Sequence, residues 1–180
     1  YRDFEQLIAE ASEPIEIPPH GSRRLGVEDV LGHFVDASWA YRFGPPAQDV
    51  IVASLEDDGD SSPSLLSQSM HFPVGRPTHV ETPARLGLQA RASRSGEGDM
   101  SLSLRSSRLV YCTRLRVPGF APSDDAFSLE PGRERVLHLR PRDPDSVLSA
   151  GELTALNLQG RVRFDRFDVE DAPPASGEVR

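Results

Sequence analysis

Short apolar runs, separated by Gly or Pro at intervals of about 8 to 15 residues, recur through this sequence. In Met100–Leu104 large apolar and small polar residues alternate strictly, which places one face of a strand on a core and the other in water. Turn-forming residues flank such runs. Ser95–Asp99 is expected to close a hairpin, and Pro131-Gly132 is expected to turn the chain into the apolar Val136–Leu139. This rhythm is typical of an all-β sandwich rather than a helical or α/β protein.

Two segments depart from the strand pattern. In the first, four apolar residues recur at the spacing of one helix face: Phe4, Leu7, Ile8 and Ala11. The second, Val27–Phe34, is compatible with a short helix, although Gly32 within it would cost roughly 1 kcal/mol relative to Ala.

The charged residues exclude several kinds of chemistry. Of the 180 residues 20 are basic, all of them Arg, and 28 are acidic, so the net charge is −8. Without Lys there can be no Schiff-base lysine and no P-loop lysine. A net-negative chain with scattered Arg is a poor match for a phosphate backbone, so we expect no nucleic-acid partner.

The longest apolar runs are too short to cross a bilayer, so no membrane partner is expected either.

Cys112 is the single cysteine, which excludes an intrachain disulfide and fits a reducing, cytoplasmic location. The chain also begins without an initiator Met or a signal-peptide pattern, and we expect it to be a piece of a longer protein.

The chain has five histidines: His20, His33, His71, His79 and His138. No two of them have the spacing that puts two imidazoles on one face, so neither a metal nor a cofactor is expected.

No catalytic pair of carboxylates emerges from the sequence. Glycoside hydrolysis needs two acids about 5 to 9 Å apart, one of them with a raised pKa. The acids here cluster in segments that are loops by composition, such as Glu56–Asp60, where solvent would keep their pKa values ordinary.

Three alternating aromatic residues, Trp39, Tyr41 and Phe43, form the most unusual local pattern. On a strand all three rings would share one face. They could then form a platform that stacks on sugar rings, as carbohydrate-binding modules do, or they could belong to the core. The core interpretation is favoured, because a chain with only 12 aromatic residues needs most of them inside.

Pro and Gly also mark the domain boundary. His71–Pro77 contains two Pro and one Gly, which cannot continue a central strand, and it is expected to be an extended linker. This divides the chain into residues 1–77, residues 78–168 and a flexible tail at 169–180.

Five stretches resemble the C-terminal region of family 2 glycoside hydrolases of the β-mannosidase type. In the expected order, and over most of residues 14–164, they are Arg42–Ala53, His71–Pro77, Val117–Phe120, Phe127–Val136 and Leu153–Leu158. Enzymes of this family carry a catalytic (β/α)8 barrel followed by one or two small β-sandwiches. The resemblance implies that residues 1–77 and 78–168 are two immunoglobulin-like sandwiches in tandem, the first lacking its N-terminal strands.

The same resemblance implies strands within Gln6–Ile17, in conflict with the helical spacing there, and we favour strands. The acid/base Glu of this family follows an Asn. The only Asn here is Asn157, and Leu158 follows it, so no catalytic residue can be assigned.

We therefore expect a non-catalytic accessory region whose partner is the barrel of its own parent chain. The alternatives are a carbohydrate-binding module that uses Trp39, Tyr41 and Phe43, and a stand-alone interaction module. A sandwich without its first strands would expose an edge, so we expect residues 1–20 either to mediate self-association through strand edges or to be poorly ordered.

Overall fold

The computed structural model describes residues 1–41, 43–57, 64–95 and 99–167. The chain divides into two compact units, Tyr1–Arg76 and Pro77–Arg180. Strand is the main regular structure of the described residues (40%, against 6% helix), so the prediction of an all-β protein is confirmed.

The described residues of the first unit contain one helix and one hairpin: α1 (Val27–Leu31), β1 (Ile51–Asp57) and β2 (Ser64–His71). The short helix expected near residue 27 is confirmed. Gly32 does not weaken its interior, because it ends the helix in a left-handed conformation (φ 72°) that glycine adopts without strain.

Residues 7–18 form neither helix nor strand, so the strands favoured within Gln6–Ile17 and the helix suggested by the apolar spacing are both wrong. Only a turn closed by a bridge between Arg2 and Gln6 is present at this end. The apolar side chains of Leu7 and Ile8 are exposed and have no core to pack on. A helix as short as the expected one is not stable in water without such packing.

Strands β1 and β2 are antiparallel, with Ala53 opposite Ser69 and an irregular register at Leu55–Glu56. Most residues on both strands are exposed. Among the described hydrophobic residues of Tyr1–Arg76, only Val50 is buried. This unit therefore has no hydrophobic core of its own.

The second unit begins with a short helix and continues as eight strands: α2 (Pro83–Leu86), β3 (Gln89–Ser95), β4 (Asp99–Arg105), β5 (Val110–Arg116), β6 (Phe120–Pro122), β7 (Phe127–Leu129), β8 (Glu134–Pro141), β9 (Ala150–Thr154) and β10 (Val162–Phe167). They are hydrogen-bonded in the order β6-β8-β4-β3-β10-β9-β5-β7. The hairpin expected at Ser95–Asp99 is present as the antiparallel pair β3–β4, and Pro131-Gly132 forms the expected turn before β8.

Strand β10 joins the two halves of this order. Val162–Asp165 pairs with β9, whereas Arg166 and Phe167 pair in parallel with β3. Inward residues from both halves, including Leu102 on β4 and Leu153 on β9, belong to one buried cluster. The halves thus face each other across a common core, which is compatible with a β-sandwich.

Asn157 connects three parts of this unit from a buried position. Its side-chain Oδ1 accepts a hydrogen bond from the Tyr111 N–H (2.8 Å), and its Nδ2 donates to the Leu109 carbonyl (2.9 Å). Its own carbonyl accepts from the Glu81 N–H (2.9 Å). A buried amide with both ends satisfied fixes the β5 start against the β9–β10 connection.

Three segments of the sequence predictions lie outside the described residues, in whole or in part: the hairpin loop at 96–98, the acidic loop at 58–63 and the tail at 169–180. Within the described residues, neither helix has the length or apolar character needed to traverse a bilayer.

The buried amide gives a stability prediction. Asn157→Ala removes the partners of the Tyr111 N–H and the Leu109 carbonyl, and should lower the free energy of unfolding by about 2 to 4 kcal/mol. Gln159→Ala is the control, because that residue is exposed and its backbone N–H, which the substitution keeps, donates to the Glu81 carbonyl, so its effect should stay within about 0.5 kcal/mol. Urea titration measures both variants. Equal midpoints for Asn157→Ala and wild type would contradict the assignment.

Candidate interaction surface

Exposed aromatic side chains lie on the segment between α1 and β1. The exposed fraction is 63% for Phe34, 61% for Tyr41 and 92% for Phe43. Large rings in water are costly, since burying one stabilises a protein by about 1.5 to 3 kcal/mol. We call Phe34, Tyr41 and Phe43 the aromatic surface.

The carboxylate of Asp36 organises the loop that carries Tyr41. It accepts hydrogen bonds from the backbone N–H groups of Ala40 (2.8 Å) and Tyr41 (3.0 Å). The Asp36 carbonyl accepts from the N–H of Trp39 (3.1 Å) and from Nε2 of Gln48 (2.7 Å). An Asp that captures nearby N–H groups in this way favours a turn over a strand.

The strand expected for Trp39, Tyr41 and Phe43 is therefore absent. Trp39 has a left-handed backbone (φ 51°), which a strand does not contain. Its side chain is half-buried, whereas Tyr41 and Phe43 are exposed, so the three residues do not share one environment. The favoured core interpretation is therefore wrong for Tyr41 and Phe43. Sugar binding by these residues remains the alternative hypothesis.

The ring that the structure brings to Tyr41 is Phe34, which the sequence reasoning missed. Their centroids are 5.6 Å apart with an angle of 71° between the ring planes, an edge-to-face contact. They lie seven positions apart in the sequence, and no periodic pattern connects a loop residue to a residue just beyond a helix. An edge-to-face pair is a favourable aromatic contact, but it does not present two coplanar faces on which sugar rings could stack.

The base of the loop is tied to the first residues of the chain. The Tyr1 amino group donates to the Val50 carbonyl (2.9 Å), and the Asp49 N–H donates to the Tyr1 carbonyl (2.9 Å). The Asp3 N–H donates to Oδ2 of Asp49 (2.5 Å). These bonds lie beside Val50, the one buried hydrophobic side chain among the described residues of the unit.

A second surface feature lies on the second unit, where three arginines surround Glu152. The hydrogen bond from Arg161 (2.8 Å) is the main cause that lowers the pKa of Glu152, and the charges of Arg161, Arg116 and Arg163 lower it further. Glu152 in turn raises the pKa of Arg161. A general acid in glycoside hydrolysis needs a raised pKa, so this carboxylate is unsuited to that role.

Within the described ranges, no group of three or more His, Cys, Asp or Glu side chains is placed to hold a metal ion. The chemistry that these surfaces offer is contact: an apolar aromatic surface on the first unit and an arginine-rich face on the second.

Comparison with known proteins adds no assignment: no family model, no curated protein and no solved structure matches this chain.

The geometry of the aromatic surface leads to a prediction for sugar binding. Calorimetric titration of the chain with mannose and with manno-oligosaccharides at millimolar concentration should give no binding heat, because the paired rings are not coplanar. Heat that disappears in Tyr41→Ala and in Phe43→Ala would establish the platform instead. Both variants should keep the wild-type free energy of unfolding within about 0.5 kcal/mol, since both side chains are exposed.

Proposed function

We propose that this chain is a non-catalytic C-terminal accessory region of a β-mannosidase-like family 2 glycoside hydrolase. In this proposal the parent enzyme hydrolyses terminal β-mannosides with retention, and the chain supports its catalytic barrel. A cytoplasmic location belongs to the proposal and is supported by the single Cys112.

The observation that carries the proposal is the contrast between the two units. Apart from Val50, the buried hydrophobic side chains of the described residues all lie in Pro77–Arg180. Most of the exposed large ones lie in Tyr1–Arg76: Leu7, Ile8, Ile17, Leu25, Val27, Phe34, Tyr41, Phe43, Leu55, Leu65, Leu66 and Val74. A unit with so much exposed apolar surface needs contact with further protein to cover that surface. An accessory region loses such contacts when it is separated from the rest of its enzyme.

The strand order of the second unit supports the immunoglobulin-like part of the proposal. In chain order, β3, β4, β6 and β8 would be strands A, B, D and E of one sheet, and β5, β9 and β10 would be C, F and G of the other. The observed neighbours β6-β8-β4-β3 and β10-β9-β5 then have the order D-E-B-A and G-F-C, with β7 as an additional edge strand beside β5. The first unit, with one hairpin, would be the incomplete member of the tandem.

The aromatic surface gives the barrel a place to dock. Phe34, Tyr41 and Phe43 are exposed, and the Asp36 turn holds the Tyr41 backbone in place. Aromatic residues on a fixed backbone lose little conformational entropy on binding, which suits a permanent contact between domains. The same three residues would serve a stand-alone interaction module, so the identity of the covering protein decides between the two functions.

Enzyme assays test the proposal on two proteins. The 180-residue chain should not hydrolyse an aryl β-mannoside, because it lacks the barrel and its two glutamates. The natural protein that contains this chain should hydrolyse the substrate and release the β-anomer first, as seen by NMR. Phe43→Ala in that protein should reduce its thermal stability without changing the anomer released.

Two outcomes would contradict the proposal. Turnover by the pure 180-residue chain would mean that the chain has a catalytic site of its own. An absence of mannosidase activity from the natural protein, with no Asn-Glu barrel in its reading frame, would favour the stand-alone module.

A further inference from the structure

Exposed apolar side chains of the first unit lie next to acidic ones. Glu16 stands between Ile15 and Ile17, and Glu28 follows Val27 at the start of α1. Ile17 is 47% exposed and Val27 is 39% exposed, and the side chains of Glu16 and Glu28 are exposed as well. A protein that covers the apolar side chains at these two places therefore also meets a carboxylate.

The same combination occurs on the hairpin. Leu55 and Asp57 are two positions apart on β1, so they lie on one face of the hairpin. Glu56 lies opposite Leu65 of β2, so these two residues lie on the other face. All four residues are exposed. Each face of the hairpin thus offers a leucine beside a carboxylate.

The net charge of the chain lies entirely in this unit. Residues 1–76 contain 13 acidic and 5 arginine residues, a formal net charge of −8, whereas residues 77–180 contain 15 acidic residues and 15 arginines. An exposed ion pair such as Arg23–Glu13 (2.7 Å) neutralises one carboxylate, but 5 arginines leave an excess of 8 acidic residues. The unit whose apolar side chains are uncovered is also the acidic one.

This charge indicates what can cover the unit. A neutral apolar surface would take carboxylates out of water without pairing them, which is costly. A second copy of the chain would bring the same negative charge to the contact and would be repelled. A basic surface would pair the carboxylates while its apolar part covers the side chains beside them. Arginine suits such a surface, since its N–H groups match a carboxylate and its stem packs on apolar side chains.

We propose that the first unit docks on a protein surface in which arginine or lysine side chains surround an apolar centre. The inference rests on the part of the proposed function in which further protein covers this unit, and it adds the chemistry of that protein. It disfavours self-association through residues 1–20, because two acidic units repel each other and the described chain has no strand edge there beyond the Arg2–Gln6 bridge.

Two sets of three substitutions remove the same charge from different units. The first set changes the first unit: Glu16→Gln, Glu28→Gln and Asp57→Asn. The second set changes the second unit and is the matched control: Asp143→Asn, Asp145→Asn and Asp165→Asn. All six side chains are exposed, and none of their carboxylates forms a hydrogen bond or an ion pair with the part of the chain that the structure describes. Both sets should therefore leave the fold intact, which urea titration checks.

The probe is a labelled peptide of Arg, Leu and Gly, and its binding to the 180-residue chain is followed by fluorescence anisotropy. The first set should raise the dissociation constant roughly tenfold, since three ion pairs are lost, and the second set should leave it within about threefold of wild type. Salt at about 1 M should weaken binding to the wild-type chain, because the Debye length falls to about 3 Å. Two control peptides, with Ser in place of Arg or Gly in place of Leu, should each bind roughly tenfold more weakly or worse.

Equal weakening by the two sets would overturn the proposal, because the peptide would then respond only to the net charge of the chain. A control peptide that binds as tightly as the probe would also overturn it, and so would an absence of binding at millimolar probe. None of these results depends on mannosidase activity. If the natural protein hydrolyses an aryl β-mannoside and the probe fails to bind, this inference alone is refuted.

Discussion

Burial of apolar surface is the constraint on which the rest of this structure depends, and it is met in one unit only. The strands of the second unit pack their inward residues into one cluster, from Leu102 on β4 to Phe164 on β10. Among its described residues the first unit buries one hydrophobic side chain, Val50, and leaves half of its large apolar side chains exposed to water. The hydrophobic effect is the main favourable contribution to folding, so the second unit can hold itself together while the first depends on further contacts.

Specific polar contacts then determine how the packed strands are arranged. Asn157 satisfies backbone groups of Leu109 and Tyr111 from a buried position, and its carbonyl accepts from Glu81. On β9, Gly151 leaves room for the ring of Phe164 on the neighbouring strand, where a Cβ would collide with it. These contacts explain why one strand order is selected among the many that an alternating sequence would permit.

Features that depend on a local residue pattern could be predicted from the sequence. Features that depend on hydrogen bonds from a side chain to nearby backbone groups could not. The alternation in Met100–Leu104 and the Pro131-Gly132 turn were enough to predict strands and the all-β fold class, because burial of one strand face repeats every two residues. The strand expected at Trp39–Phe43 failed because the carboxylate of Asp36 binds two N–H groups that a ladder would need. The bulge at Cys112, where φ is +54°, breaks an alternating run and has no signature in the residue types. The Phe34–Tyr41 pair of the aromatic surface was likewise beyond any sequence period.

The placement of the hydrophobic core in the second unit alone is consistent with the proposed function. An accessory region can be stable in one part and incomplete in another when its parent enzyme supplies the missing contacts.

Native-state hydrogen exchange of the monomeric chain tests this account most directly. Amides of β4, β5 and β8 should exchange only through global unfolding, and amides of the β1–β2 hairpin should exchange through local openings of much smaller free energy. Protection of the hairpin equal to that of β4 would contradict the account, because it would show that Tyr1–Arg76 is stable without a partner.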